Sequence, residues 1–404
     1  MKTLYLHIGT PKTATSSIQN FLAINRKVLE KHSYCFPKSL EKTAYVNPKR
    51  NAHFLITDYF LEDGSHDIQA EDACMLRGME QIHDLLLQVD NVILSEENIW
   101  RFSSYSRKRL FPFIADTARE FGYQVKIIVY LRRQDQFLLS RWNQNVKNSA
   151  RSEIHPIREH LKEVDEKQKL VVNYGKKLDK IAEVFGKENV IVRRFDPKSW
   201  VNGSIIEDFM QCVGLEMTEE YQMPDRMVNP GLKGNTVEIK RLINESRSLT
   251  TDEKNYVGES LRKMSEDSGR RYPVSMLSVE ETKALIKKYE KQNAYVAEQY
   301  IGDGKPLFDD TVADMACWEE NNPYMQEDII HFISETVVRL HHENEDLQSQ
   351  IHLLKGEIMQ LRSEIGGQNK KLRKVSEWQE KLKQAMRHPL RTVFRRVFRR
   401  KSVV

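Results

Sequence analysis

Hydrophobic and polar positions alternate in two ways along this chain, and the order in which they do so predicts an α/β fold. Short apolar or β-branched runs, Leu4–Ile8, Val92–Leu94, Val125–Leu131 and Val190–Phe195, read as buried strands. Between them apolar residues recur at helical spacing. Ile18, Phe21 and Leu22 form one such set, and Met75, Met79, Ile82 and Leu86 a second. Leu110, Phe113, Ile114 and Phe121 make a third, followed by Tyr174–Phe185 and Ile205–Val213. Gly122, Gly186 and Gly214 stand where C-caps belong. Strands and helices in succession from Leu4 to Val213 predict a doubly wound parallel sheet. The segment Tyr34–Asp67 is mixed in pattern and carries His53, Phe54, Tyr59 and Phe60. It is expected to form loops and short helices over the active face, bordering an acceptor pocket.

From Ile330 the period changes. Ile333, Val337, Leu340, Asn344 and Leu347 continue the three-and-four spacing of a heptad seam, which runs on to Ile365. Ile351, Ile358 and Ile365 fall at a, with Leu347, Leu354 and Leu361 at d, a pairing that favours a parallel two-stranded coil. Asn344 at an a position penalises other registers. Gly366-Gly367 is expected to interrupt the helix at roughly 1 kcal/mol per glycine relative to alanine, and Leu372, Val375, Leu382 and Met386 resume the register beyond it. Residues 318–386 therefore read as a helical stalk joining two copies of the chain, the alternative being a hairpin folded back on its own domain. The tail, 387–404, contains no acid and carries Leu390, Val393, Phe394, Val397 and Phe398 on one helical face. Such a helix can lie in an anionic membrane surface, in preference to nucleic acid.

Composition narrows the class without naming it. At 404 residues, with 63 basic against 58 acidic side chains, the chain can bury a full core and has no global charge that argues for nucleic acid. Cys35, Cys74, Cys212 and Cys317 are scattered, with no C-x-x-C pair, which points to reduced thiols and a cytoplasmic setting. No secretory signal or membrane span is expected, and no metal-ligand spacing stands out.

The candidate chemistry lies in two turns. After Leu4–Ile8 come Gly9 and Thr10-Pro11-Lys12-Thr13-Ala14-Thr15, with Ser16 and Ser17 opening a helix. A helix start offers unpaired N–H groups and a positive dipole end. Lys12 adds a cation, and the hydroxyls of Thr13, Thr15, Ser16 and Ser17 add donors, so the turn reads as a phosphate or sulfate cradle. In the second turn, Val125–Leu131 ends in Arg132-Arg133, and a helix beginning near Asp135 carries Ser140. A guanidinium fork and a hydroxyl so placed can converge on one phosphate. A third feature is Ser95-Glu96-Glu97-Asn98, which puts carboxylates at the C-terminal end of a strand, the ligand-binding edge of an open sheet.

Pro11 sets the first turn apart from the nucleotide loop G-x-x-x-x-G-K-[ST]. Pro11-Lys12-Thr13-Ala14-Thr15-Ser16 instead resembles the 5′-phosphosulfate loop of sulfotransferases that use 3′-phosphoadenosine-5′-phosphosulfate (PAPS), roughly P-K-[ST]-G-T-[TS], with Ala14 in place of the glycine. Arg132 and Ser140, eight positions apart, resemble the 3′-phosphate element of the same family, with Arg133 as an alternative contact. The resemblance spans about residues 1–310 and implies a P-loop-like sulfotransferase fold with PAPS as co-substrate and no metal. It implies that Thr10 to Ser16 hold the 5′ side, that Lys12 stabilises the bridging oxygen, and that Lys233, in the basic loop Val228–Asn235, adds a second 3′-phosphate contact. In some carbohydrate sulfotransferases a glutamate just past the strand that Val92–Leu94 resembles serves as base. Glu97 is the first choice here, Glu96 the second and His7 the third. The implied acceptor is a carbohydrate or glycolipid. Rival readings are a nucleotide-dependent kinase of related fold and a dimeric scaffold that binds ligand without catalysis.

Overall fold

A computed structural model describes residues 1–41, 47, 49–102, 109–148, 153–167, 169–224 and 231–387. The expected membrane-binding tail beyond Arg387 and Val228–Pro230 of the basic loop lie outside the described residues. The chain divides into two compact units at Ile330/His331.

In the first unit, strands and helices follow in the order β1 (Thr3–His7), α1 (Thr15–Ile24), α2 (Arg26–Lys31), β2 (Tyr34–Cys35), α3 (Ile68–Gln88), β3 (Asn91–Ser95), α4 (Asn98–Phe102) and α5 (Leu110–Phe121). Next come β4 (Gln124–Leu131), α6 (Gln134–Lys147), α7 (Ile157–Lys167), α8 (Lys169–Val172), α9 (Tyr174–Phe185), β5 (Val190–Arg194) and α10 (Ile205–Cys212). Three further helices, α11 (Thr236–Glu245), α12 (Thr251–Arg271) and α13 (Val279–Val296), complete the unit before α14 (Met325–Arg387), which begins within it.

The five strands form one parallel sheet in the order β2-β3-β1-β4-β5. Successive strand residues point to opposite faces, and both faces are covered. Leu4, Leu6, Val92, Leu94, Ile127 and Val129 face a core closed by Met79 and Ile82 of α3, Ile114 of α5 and Leu178 of α9. Tyr5, Ile93, Ile128 and Tyr130 face the other core, closed by Ile18 and Phe21 of α1 and Phe209 of α10. This is the doubly wound arrangement that the alternating pattern predicts. Under α10 the Tyr130 hydroxyl donates to Asp208 at 2.7 Å, and Arg193 of β5 pairs with the same buried carboxylate.

Two features depart from the pattern. The edge strand β2 is only two residues long, too short to show a period, and falls in the segment expected to be loops and short helices. The second departure is at Gly366-Gly367, where α14 runs on without a break. Glycine lowers helix propensity but removes no hydrogen bond, so two of them in a helix of 63 residues need not end it. The first unit also extends beyond residue 310, because Asp328 is buried and accepts from Asn235 at 2.9 Å and Ser268 at 2.7 Å. In α14 the seam residues Ile330, Ile333, Val337, Leu340, Leu347 and Ile351 are exposed. Among the described residues no helix is long and apolar enough to cross a membrane, and all four cysteines are free thiols.

Candidate functional site

Neighbouring parallel strands end on the same edge of the sheet, so β1, β3 and β4 deliver their following turns to one place. A cavity of about 830 Å³ opens there, over the turn after β1. Gly9 makes the approach possible. Its φ is 102°, and a Cβ would stand 3.1 Å from the Glu97 carbonyl oxygen and 3.2 Å from the Glu97 Cα. The turn therefore packs its backbone directly against the end of β3, which only glycine permits. Thr10 ties the turn to β4, its N–H and hydroxyl both donating to the Tyr130 carbonyl, at 3.0 and 3.1 Å.

Lys12 and Ala14 both take left-handed backbone conformations, with φ of 70° and 56°. Ala14 is the N-cap of α1 and supplies no side-chain cap, so no side chain there satisfies the first N–H groups of the helix. The cavity is lined there by Pro11, Lys12, Ala14, Thr15, Ser16 and Ser17. The Lys12 ammonium lies 3.3 Å from the Gln144 side-chain oxygen on α6. Burial lowers its pKa, with Glu97 opposing that shift and Arg132 adding to it. Thr10 and Thr13 differ from the cradle residues that the sequence suggests. Both are fully buried, and the Thr13 hydroxyl donates to the Thr10 carbonyl, so these two shape the turn from beneath.

Arg132, leaving β4, donates from Nη1 to the Lys12 carbonyl at 3.1 Å and lies 5.5 Å from the centre of the Phe195 ring. Burial lowers its pKa, and its Nε is buried without a hydrogen-bond partner. The two turns singled out in the sequence are thus adjacent. Ser140 is half-buried on α6, beside rather than within the face that Phe137, Arg141, Gln144 and Asn145 turn to the cavity. Arg133 pairs with Asp135 at 2.8 Å. Lys233 stands apart from the lining, its ammonium 2.8 Å from Glu266 of α12. The local loop chemistry could not foretell that partner, which comes from a helix packed alongside.

The adjacent glutamates part company. Glu96 is fully buried beneath the cavity, where it accepts from Arg50, from the Asn98 backbone N–H at 2.9 Å and from His53 Nδ1 at 3.0 Å. Glu97 lines the cavity. Burial raises the Glu97 pKa, and Arg50, the Thr15 hydroxyl and Lys12 pull the other way. His7 is sealed within the fold, its Nδ1 2.9 Å from the Ser95 hydroxyl and its ring against Tyr130 and Phe209. Burial drives its pKa down to about 3.

The basic lining residues Arg50, His53, Arg101 and Arg141 have no counterpart among the site residues picked from sequence. The first two lie in the segment expected to border an acceptor, and their signal was only its richness in polar and aromatic side chains. At the rim, Asp58 also lines the cavity, and His66 Nδ1 lies 2.9 Å from Glu71 and 3.9 Å from Asp58. The Tyr59 backbone N–H donates to the same Glu71 at 3.2 Å, so the three side chains fasten this loop to α3.

No family model matches the chain. An uncharacterized protein of Archaeoglobus fulgidus is 28% identical over 179 residues, 44% of this chain and 46% of that relative. The chain thus spans about half the length of the curated relative it matches. Among solved structures, a sulfotransferase from Alicyclobacillus acidocaldarius is 18% identical, and the match covers 57% of this chain and 87% of that one with a TM-score of 0.35.

Proposed function

We propose that this chain transfers a sulfuryl group from PAPS to a hydroxyl or amine of a carbohydrate or glycolipid acceptor. The observation that carries this reading is the hydrogen bond from Arg132 to the Lys12 carbonyl, 3.1 Å long. It supports a single ligand with an anionic group at each end, one on the uncapped start of α1 and the other beside the end of β4. Lys12 and the first N–H groups of α1 stabilise the negative charge that grows on the bridging oxygen as the sulfur departs. Thr15 and Ser16 add hydroxyls at that end, and Arg132 with Ser140 holds the 3′-phosphate. Amide side chains in the cavity lining, Asn98, Gln144, Asn145 and Asn148, favour a polyhydroxylated acceptor over a flat apolar one.

A ligand selective for the folded state raises apparent stability, so a thermal shift with adenosine 3′,5′-bisphosphate tests the donor directly. The expected result is stabilisation by the bisphosphate and none by ATP. Stabilisation by ATP alone favours the kinase. Bisphosphate binding with no transfer to any acceptor of a broad glycan panel favours the scaffold.

A further inference from the structure

Among the described residues, Lys12, Arg50, Arg101 and Arg141 line the cavity with cationic groups, against the carboxyls of Asp58 and Glu97. Lys12 faces the start of α1, and Arg50 pairs with the fully buried Glu96. Neither task calls on Arg101 or Arg141. The two acids belong elsewhere in the lining: Glu97 neighbours Lys12 and the Thr15 hydroxyl, and Asp58 stands at the rim, 3.9 Å from His66. Arg101 belongs to α4, which follows β3, and β3 lies on the opposite side of β1 from β4 and Arg132. Arg141 sits on the cavity face of α6, three residues before Gln144, whose side-chain oxygen meets the Lys12 ammonium.

Each of these arginines is the chain neighbour of a tryptophan that pins its helix. Trp100 is fully buried and donates from its indole N–H to the Val171 carbonyl at 3.0 Å. Trp142 is fully buried too and donates to the His155 carbonyl at 2.9 Å. The backbone that carries both guanidinium groups is thereby fixed, which lowers the ordering cost of binding. Buried Ile56, Phe137 and Val171 share the lining, and apolar surroundings strengthen a charged contact. A guanidinium carries five N–H donors, so each arginine can keep its contacts within the fold and still offer donors to a ligand.

We propose that Arg101 and Arg141 select an acceptor sugar bearing one anionic oxyacid group, a carboxylate or a phosphate, a substrate class that rests on the sulfuryl-transfer reading above. Such an acceptor is repelled by a donor that is itself anionic, and guanidinium groups beside it offset that repulsion. The planar fork of arginine matches an oxyacid and fixes its orientation. The amides of the lining meet the sugar's hydroxyls, while the two arginines discriminate the acid from its neutral counterpart.

The test titrates the full chain, saturated with adenosine 3′,5′-bisphosphate, with methyl glycosides of the gluco, galacto and manno series by isothermal calorimetry. Each series supplies the neutral sugar, the uronate and the 6-phosphate, which differ only at C6. In at least one series an acid is expected to bind about 10-fold or more tightly than the neutral sugar, and the tighter of the two acids identifies the oxyacid. Arg101→Gln and Arg141→Gln each weaken that acid about 10- to 100-fold and leave the neutral sugar and the bisphosphate unchanged. Arg101→Lys and Arg141→Lys keep the charge and recover part of the loss. Equal affinities within every series, no binding by any acidic sugar, or equal losses for neutral and acidic sugars in the variants overturn the proposal. Failure of the unmodified chain to bind the bisphosphate instead overturns the transferase reading, and the acceptor class falls with it.

Discussion

Replacing Arg132 by methionine separates ligand recognition from mere support of the fold. The side chain is half-buried, its guanidinium touches the Lys12 carbonyl at 3.1 Å, and its Nε is buried without a partner. A hydrogen bond to a charged group contributes about 1.5–3 kcal/mol, which corresponds to roughly a 10- to 150-fold change in dissociation constant. Arg132→Met is therefore expected to weaken adenosine 3′,5′-bisphosphate by that factor in isothermal titration. Adenosine 5′-monophosphate lacks the 3′-phosphate and serves as the internal reference. Its affinity falls only as far as the Lys12 turn is disturbed, so the ratio of the two losses isolates the 3′-phosphate contact. Arg132→Lys keeps the charge without the fork and restores part of the difference. Equal losses for both ligands refute the contact and make Arg132 a brace for the turn. No loss for either removes it from the site.

Three other outcomes follow from the same geometry. Lys12→Ala is expected to lower kcat by about 10²-fold, near 3 kcal/mol of transition-state stabilisation; a change confined to donor KM would show that the ammonium only binds. His7 is buried with its pKa pushed from 6.5 to about 3, so the unfolded chain binds the extra proton and stability is lost as pH falls through that window. Urea unfolding should show the wild type losing up to about 1.4 kcal/mol per pH unit relative to His7→Gln between these limits, and a pH-independent difference would contradict the buried neutral imidazole. Light scattering should find twice the chain mass of 47.5 kDa for the intact protein and a single-chain mass after truncation at Ile330. Equal oligomeric states before and after truncation would remove the coil as the dimer contact.

The strands and helices that frame the site were legible in the sequence because their signals are local. A buried parallel strand needs a short apolar run, and a helix needs an apolar stripe at its own period, so Leu4–Ile8, Val125–Leu131 and Tyr174–Phe185 announced themselves without reference to the rest of the chain. The Lys12 turn and Arg132 could be singled out for the same reason, since each belongs to a contiguous strand–turn–helix phrase. Seam periodicity likewise marked α14, whose apolar positions are exposed. Tertiary structure alone decided how the side chains were used. Glu96 and Glu97 are chemically identical neighbours, and only the approach of Arg50, His53 and Gly9 from distant parts of the chain sends one beneath the floor and the other into the cavity. Thr13 and Lys233 were diverted in the same way, by a carbonyl three residues back and by a carboxylate on a neighbouring helix. Burial and electrostatic partnership depend on what packs alongside, and linear spacing carries no record of that once the partners are tens of residues apart.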